Sequence, residues 1–97
     1  MAELAYSSEA SADIDDIAAF SLDRFGPEVA LAYVDGLERA CERLADFPLL
    51  APVYPRIRPE VRCLAYRSHR IFYRIETSDV LIVRILHSAR DVKRALG

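Results

Sequence analysis

Histidine and arginine side chains in the second half of the chain are the ones best suited to chemistry on an anionic group. Because imidazole exchanges protons near neutral pH, His87 could protonate a leaving oxygen. Arg74 and Arg84 could hold a phosphate, and Glu60 is the nearby carboxylate that could act as a base. Together these residues would suit a metal-free ribonuclease. Each also has a structural alternative: an ion pair for Arg84, a hydrogen bond to a carbonyl for His87, and simple solvation for Glu60.

Other kinds of site find no support in the sequence. Metal binding needs several His, Cys, Asp or Glu side chains at close spacing, whereas His69 and His87 are separated by a predicted strand and turn. The three glycines form no phosphate-binding loop, and no serine lies in a nucleophile-elbow motif. We therefore expect neither a metal nor a cofactor. Cys41 and Cys63 are too few for a disulfide framework and are expected to be free, buried thiols.

The two halves of the chain carry opposite charge. Residues 1–53 contain eleven acidic residues and three arginines, a net charge of −8, whereas residues 54–97 contain ten basic and four acidic residues, a net charge of +6. This asymmetry predicts an anionic partner for the second half, either a phosphate backbone or the acidic surface of a protein. The alternative is that the two halves neutralise each other within the fold.

The composition also bears on size and location. The 97 residues fit one domain. No window holds the ~18 consecutive apolar residues of a membrane span. Residues 1–20 lack lysine, arginine and the apolar stretch of a secretory signal. The sequence therefore predicts a cytoplasmic protein.

The first half of the chain predicts a helical hairpin over residues 8–47. Ser7 and Ser8 can cap its first helix, and Gly26-Pro27 is typical of a tight corner between two helices. Apolar residues recur at helical spacing in both segments. They are Ala10, Ile14, Ile17, Ala18 and Phe25 in the first, and Ala30, Tyr33, Val34, Leu37, Ala40, Cys41 and Leu44 in the second.

The second half predicts a small antiparallel sheet over residues 61–87. Four prolines between residues 48 and 59 indicate a stiff loop before it. Three strands follow, at 61–67, 70–76 and 80–86, of which the last is apolar at both parities and therefore central. Ser88 could cap a short helix over residues 89–96. With a short strand at Leu4 to Tyr6, the predicted fold is α+β in the order β-α-α-β-β-β-(α), in a single domain over residues 1–97.

Alternation assigns the strand side chains to two faces. Tyr73 is predicted to pack on the helices and Arg74 to point away from them. By the same count Arg84 lies in register with Ile82 and Leu86. A guanidinium then interrupts an apolar strand face and needs an acid, water or a partner there.

Several fragments keep the order and spacing of the RelE/ParE superfamily of bacterial toxins, which this chain resembles over nearly all of its length. They are Ala12-Asp13-Ile14 with Ile17, Leu44-Ala45 with Pro48, Arg62, the run from His69 to Arg74, Ile85-Leu86-His87 and Arg90-Asp91. The resemblance implies a helical hairpin packed on an antiparallel sheet, in agreement with the predicted elements. The chain departs from the family at Ala51, where glycine is common, and this puts the local turn in question.

The superfamily comprises RelE-like members, which cut messenger RNA on the ribosome, and ParE-like members, which inhibit DNA gyrase. This chain is more similar to the ParE-like members, because it is mildly acidic, its only lysine is Lys93 and no tyrosine follows Tyr73. The long helical hairpin points the same way. The alternatives are a RelE-like messenger RNA endoribonuclease using Glu60, Arg74, Arg84 and His87, and an inactive member that only binds its antitoxin and represses transcription with it.

A ParE-like identity implies a stoichiometric inhibitor that does no chemistry itself. It implies that the toxin binds gyrase, stalls it on cleaved DNA and blocks replication. It also implies a ParD-like antitoxin, whose extended or helical tail covers the hairpin and sheet in a hetero-oligomer. We predict that Arg84, His87, Arg90 and Lys93 contact the target, because basic groups at one end of a sheet suit an acidic protein surface or DNA. The sequence assigns no antitoxin-binding residues.

Overall fold

A computed structural model describes residues 2–97. The elements are β1 (Leu4–Tyr6), α1 (Ser8–Phe25), α2 (Pro27–Asp46), β2 (Val53–Tyr54), β3 (Val61–Tyr66), β4 (His69–Glu76), β5 (Asp79–His87) and α3 (Val92–Leu96). The strands form one sheet in the order β1-β5-β4-β3-β2. The predicted α+β fold is confirmed, and β5 lies inside the sheet as predicted. Over residues 2–97, no helix is long and apolar enough to cross a membrane.

The helical hairpin begins and turns at the predicted residues. The side-chain oxygen of Ser7 accepts a hydrogen bond from the N–H of Ala10 and caps α1. Gly26 has a φ of 87°, which side chains with a Cβ rarely adopt. Pro27 then occupies the first turn of α2, where its missing N–H costs nothing. The hairpin geometry therefore follows from local sequence.

The main core lies between the hairpin and the sheet. Its buried side chains are Ala10, Ile17, Leu37, Ala40, Cys41, Leu44, Ala51, Ile71, Tyr73, Val80, Ile82 and Ile85. A smaller core covers the opposite face of the sheet, where Ile57 from the loop after β2 and Val92 from α3 pack on Phe72 and Leu86. Both cysteines are free thiols as predicted, although only Cys41 is fully buried. The sheet is thus covered on both faces.

The predicted antiparallel arrangement of β3, β4 and β5 is confirmed, and the pairing of β1 makes the whole sheet mixed. β1 runs parallel to β5, with Leu4 opposite Val80. The meander of β3, β4 and β5 leaves the outer edge of β5 free, and β1 covers part of it. The two-residue strand β2 lies in the segment predicted to be loop and pairs with β3. Prolines on both sides of β2 limit its length.

A β-bulge in β5 changes the direction of its side chains. The register between β4 and β5 slips by one residue, and Val83 is the residue left over. Ile82 before the bulge and Ile85 after it both face the hairpin, while Leu86 packs on the opposite face. The prediction that Arg84 lies in register with Ile82 and Leu86 is therefore wrong, because strict alternation fails at a bulge.

Helix α3 begins at Val92 and not at Ala89 as predicted. The carboxylate of Asp91 accepts a hydrogen bond from the N–H of Arg94 at 3.2 Å and caps the helix. Residues 88–90 form a turn instead of the first helical residues, so Ser88 is not the cap.

Candidate functional site

A groove of about 550 Å³ opens between the helical hairpin and the end of the sheet where β4 begins and β5 ends. Its apolar lining residues are Ile17, Phe20, Phe25, Val29 and Ile85, and its polar ones are Asp13, Asp16, Ser21, Tyr33, Ser68, His69, His87 and Arg90. Phe20, Phe25 and Val29 are 58%, 60% and 49% exposed. A cluster of exposed apolar side chains with a polar rim is typical of a binding site.

The predicted packed face of α1 was wrong at Phe25. Helical spacing placed it with the packed side chains of α1, but its ring lines the groove. The groove, and not the sheet, lies beside the last turn of α1. The same helical face is therefore buried at Ile17 and open at Phe25.

Arg84 is held by Asp13 of α1. Nε and Nη2 of Arg84 donate to the two carboxylate oxygens at 2.8 and 2.9 Å, a bidentate ion pair. The hydrogen bond to Asp13 is the main cause that raises the pKa of Arg84 above its usual value. The side chains of Arg84 and Asp13 are only 20% and 12% exposed. This is the structural alternative that the sequence left open for Arg84.

Asp13 also binds the backbone of β5 at the sheet edge that lies beyond the end of β1. One of its carboxylate oxygens accepts the backbone N–H of Ile85 at 2.9 Å. Strand β1 ends at Tyr6, opposite Ile82, so the edge of β5 after the bulge has no strand beside it. The carboxylate therefore satisfies a backbone donor that a longer β1 would have bound. The next residue of the same parity, His87, presents its backbone N–H toward the same open edge.

His69 and His87 face each other across β4 and β5 at the polar end of the groove. Their rings lie edge to face with centroids 5.4 Å apart. Nδ1 of His69 shares a hydrogen bond with the hydroxyl of Tyr33 at 2.7 Å. Burial, and then the neighbouring His87, lower the pKa of His69, while Asp13 opposes them. These contacts therefore favour the neutral form of His69.

The second histidine presents a donor to the groove. Nδ1 of His87 accepts the N–H of Ala89 at 3.1 Å. In the neutral ring the proton then sits on Nε2, which is free to donate. The cationic group beside it in the groove lining is Arg90. This end of the groove suits a carboxylate or another acceptor.

The residues predicted for ribonuclease chemistry are not brought together. Glu60 and Arg74 line a separate cleft at the opposite end of the sheet from His87. Arg74 is paired opposite Leu81, about 20 Å along β5 from His87 at ~3.3 Å per residue. The guanidinium of Arg74 lies 3.7 Å from Glu76 instead.

The residues predicted to contact the target are also divided. His87 and Arg90 line the groove, whereas Lys93 lines a cleft with Arg56 on the other face of the sheet. Arg84 lines neither, and it is held in its ion pair with Asp13. The contact role of these residues stays a prediction, and the structure places two of them together.

The apolar lining of the groove was not predicted from the sequence. Phe20 lies off the predicted stripe of α1, and Val29 lies off that of α2. The signal available in the sequence was that Phe20 and Val29 are large apolar residues outside the predicted packed stripe of their helices. As for metals, no group of three or more His, Cys, Asp or Glu side chains in the described part of the chain is placed to hold an ion.

Comparison with known families and sequences gives concordant matches. Residues 4–92 match the family described as the ParE toxin of type II toxin-antitoxin system, parDE. Toxin ParE1 of Caulobacter vibrioides is 35% identical over 91 residues, covering 94% of each chain. Toxin ParE1 of Mycobacterium tuberculosis is likewise 35% identical over 91 residues, covering 93% of each chain.

A solved structure shares the fold. It is the chromosomal ParDE TA system from P. aeruginosa, which matches with a TM-score of 0.78 and 26% sequence identity. The match covers 90% of this chain and 96% of the other.

Proposed function

The chain belongs to the ParE toxin family of type II toxin-antitoxin systems, and on that premise we propose that it inhibits DNA gyrase and is neutralised by a ParD-like antitoxin. Inhibition is stoichiometric: the toxin binds gyrase, stalls it on cleaved DNA and blocks replication. The observation that carries this proposal is an exposed groove with a cationic end in a chain that matches ParE toxins along almost its whole length.

The placement of the candidate catalytic residues supports an inhibitor over a ribonuclease. A general acid and base must both reach the reacting phosphate, within hydrogen-bond distance or through one water. Glu60 and Arg74 lie at one end of the sheet and His87 at the other. Arg84 is committed to Asp13. These residues cannot act on one phosphodiester in this fold.

The antitoxin, in our proposal, places its tail in the groove. The exposed rings of Phe20 and Phe25 offer apolar surface, and a tail that buries them gains about 25 cal/mol per Å² of area removed from water. The backbone N–H of His87 at the open edge of β5 can donate a main-chain hydrogen bond to an extended segment. An acidic residue of the tail would meet Arg90. The antitoxin segment is therefore apolar and acidic in character.

The target contact shares this end of the groove. We propose that His87 and Arg90, with Lys93 on the adjoining face, meet an acidic surface of gyrase or its DNA. Arg84 contributes indirectly, because its pairing with Asp13 fixes β5 against α1. An antitoxin tail lying on Arg90 would cover residues that the target needs. Neutralisation is then direct competition for one surface.

Induction of the toxin without its antitoxin tests this function in cells. The DNA damage response and the integrity of messenger RNA are followed separately. We expect growth arrest with a DNA damage response and intact messages. Cleaved messages would establish the ribonuclease alternative, and harmless expression would establish the inactive one. Either result contradicts gyrase inhibition.

A matched pair of variants tests the proposed surface. Arg90→Glu reverses a charge in the groove lining and should weaken the arrest. Arg39→Glu makes the same charge change on α2, where it breaks only an exposed ion pair with Asp35 and should leave the arrest intact. Equal effects of the two variants would remove Arg90 from the contact surface.

A further inference from the structure

Few of the basic residues of the second half form ion pairs with the first half. Among residues 2–97, the ion pairs are Arg39 with Asp35, Arg74 with Glu76 and Arg84 with Asp13. Only the last joins the two halves. Apart from Arg84, the basic residues beyond β2 therefore form no ion pair with the hairpin in the described chain.

Four exposed cations flank the smaller core on the sheet face opposite the hairpin. Arg56 and Arg58 lie on the loop after β2, and Lys93 and Arg94 lie on α3. All four side chains are exposed, and none has a carboxylate within 4.0 Å in the part of the chain that the structure describes. Arg56 and Lys93 line one cleft of about 420 Å³, which Asp91 also lines. We call these four residues the outer basic face.

The outer basic face is held in place by buried neighbours. Ile57 lies between Arg56 and Arg58 and is 4% exposed, and Val92 precedes Lys93 and is 6% exposed. Both pack into the smaller core on Phe72. The cations thus extend from anchored backbone, so little backbone freedom is lost when they bind a partner.

The chemistry of this face favours nucleic acid over protein. Protein interfaces have an apolar centre, whereas nucleic-acid interfaces are polar and positively charged. The exposed large apolar side chains lie in other parts of the fold. In the described chain, no large apolar side chain is exposed between residues 54 and 74 or after residue 75. A single strand would need aromatic rings for stacking. The ring of Tyr54, the aromatic beside Arg56, is instead packed edge to face on Phe72 at 5.3 Å.

We propose that the outer basic face binds the phosphate backbone of double-stranded DNA without reading base sequence. Each arginine or lysine would neutralise one phosphate and release its counterions. The choice of DNA over duplex RNA rests on the proposed function, because a gyrase inhibitor sits beside a DNA duplex. The binding itself is a property of the toxin alone and uses Arg56, Arg58 and Arg94, which the proposed gyrase contact does not.

Fluorescence anisotropy of a short labelled DNA duplex of arbitrary sequence, titrated with purified toxin, tests this inference. Neutralising about four phosphates predicts that affinity falls about a hundredfold between about 50 and 200 mM salt. The double substitution Arg56→Glu with Arg58→Glu should weaken binding at least about tenfold and lower the salt slope by about 2. Arg56→Lys with Arg58→Lys should bind nearly as well as the natural chain.

The matched control is Arg39→Glu with Arg43→Glu, two exposed arginines on α2 that give the same change in net charge. Circular dichroism and antitoxin binding verify that each variant is folded. Equal weakening by both pairs would overturn the site, since net charge alone would explain it. No binding of the natural chain at low salt, or binding to duplex RNA or single-stranded DNA as tight as to duplex DNA, would also overturn it. Gyrase inhibition is measured separately, so a toxin that binds DNA but leaves gyrase active refutes only the proposed function.

Discussion

Removal of the Asp13 carboxylate should destabilise the fold more than the loss of any other single acidic residue on α1. The Asp13→Ala variant loses the bidentate pair with Arg84 and the bond to the backbone N–H of Ile85. Breaking a buried ion pair costs about 3–5 kcal/mol, and an unsatisfied N–H costs about 1–3 kcal/mol. Because Arg84 keeps some access to water, we expect a total loss of about 3 kcal/mol in the free energy of unfolding.

Urea unfolding of the purified toxin measures this loss. The matched control is Asp15→Ala, which removes an exposed acid from the same helix and should change stability by less than about 0.5 kcal/mol. Arg84→Ala should cost less than Asp13→Ala, because the carboxylate keeps its bond to Ile85. In the double variant the two effects should fall short of their sum by about 1.5–3 kcal/mol. Additive effects, or an Asp13→Ala variant as stable as the control, would refute this reasoning.

Further predictions concern packing, pH and the groove. Gly36→Ala should lower the free energy of unfolding by about 1–3 kcal/mol, because its Cβ would overlap the hydroxyl of Tyr66, and Tyr66→Phe should restore part of the loss. The pKa of His69 is lowered on folding, so the unfolded chain binds a proton at this residue at a higher pH than the folded chain does. Urea titrations should therefore show stability falling as the pH drops below 6.5, and His69→Gln should make stability depend less steeply on pH. Burial raises the pKa of the Cys41 thiol from 9.0 to about 11, so stability should be lost as the pH rises from 9 to 11. Cys41→Ala should reduce that loss without abolishing it, because burial also raises the pKa of Cys63. Phe25→Ala should weaken antitoxin binding about tenfold in calorimetry and leave unfolding almost unchanged, and an unaffected affinity would exclude Phe25 from the antitoxin site.

The parts of the fold that depend on local sequence were predictable. Ser7 and the Gly26-Pro27 corner set the ends of the helices through caps and fixed φ values, and helical spacing identified the packed face of α2. The bulge at Val83 was not predictable, because it depends on how β5 pairs with β4 and nothing in the strand itself marks an extra residue. That slip changed the facing of every side chain after it.

The sequence predicted some residues of the candidate site but not how they are arranged. The sequence identified His87 and Arg84 as residues that need partners, and it gave an ion pair as one outcome for Arg84. It could not identify Asp13 as that partner, because the two lie 71 residues apart and meet only when α1 crosses β5. The groove was not predicted, for a similar reason. An exposed Phe20 is recognisable only once the buried face of α1 is known.

The arrangement of charge gives the two surfaces separate roles in this account. In our proposal the groove beside the acidic hairpin receives the antitoxin and shares Arg90 with the gyrase contact. The outer basic face, whose Lys93 also belongs to that contact, meets DNA. A toxin built in this way can be neutralised through the groove while its basic face stays open.

The supercoiling of relaxed plasmid by purified gyrase, titrated with purified toxin, tests the central claim most directly. We predict that inhibition grows with the ratio of toxin to gyrase, reaches completion near equivalence, leaves cleaved DNA bound to the enzyme, and is reversed by the antitoxin. Full supercoiling activity in the presence of excess folded toxin would contradict it.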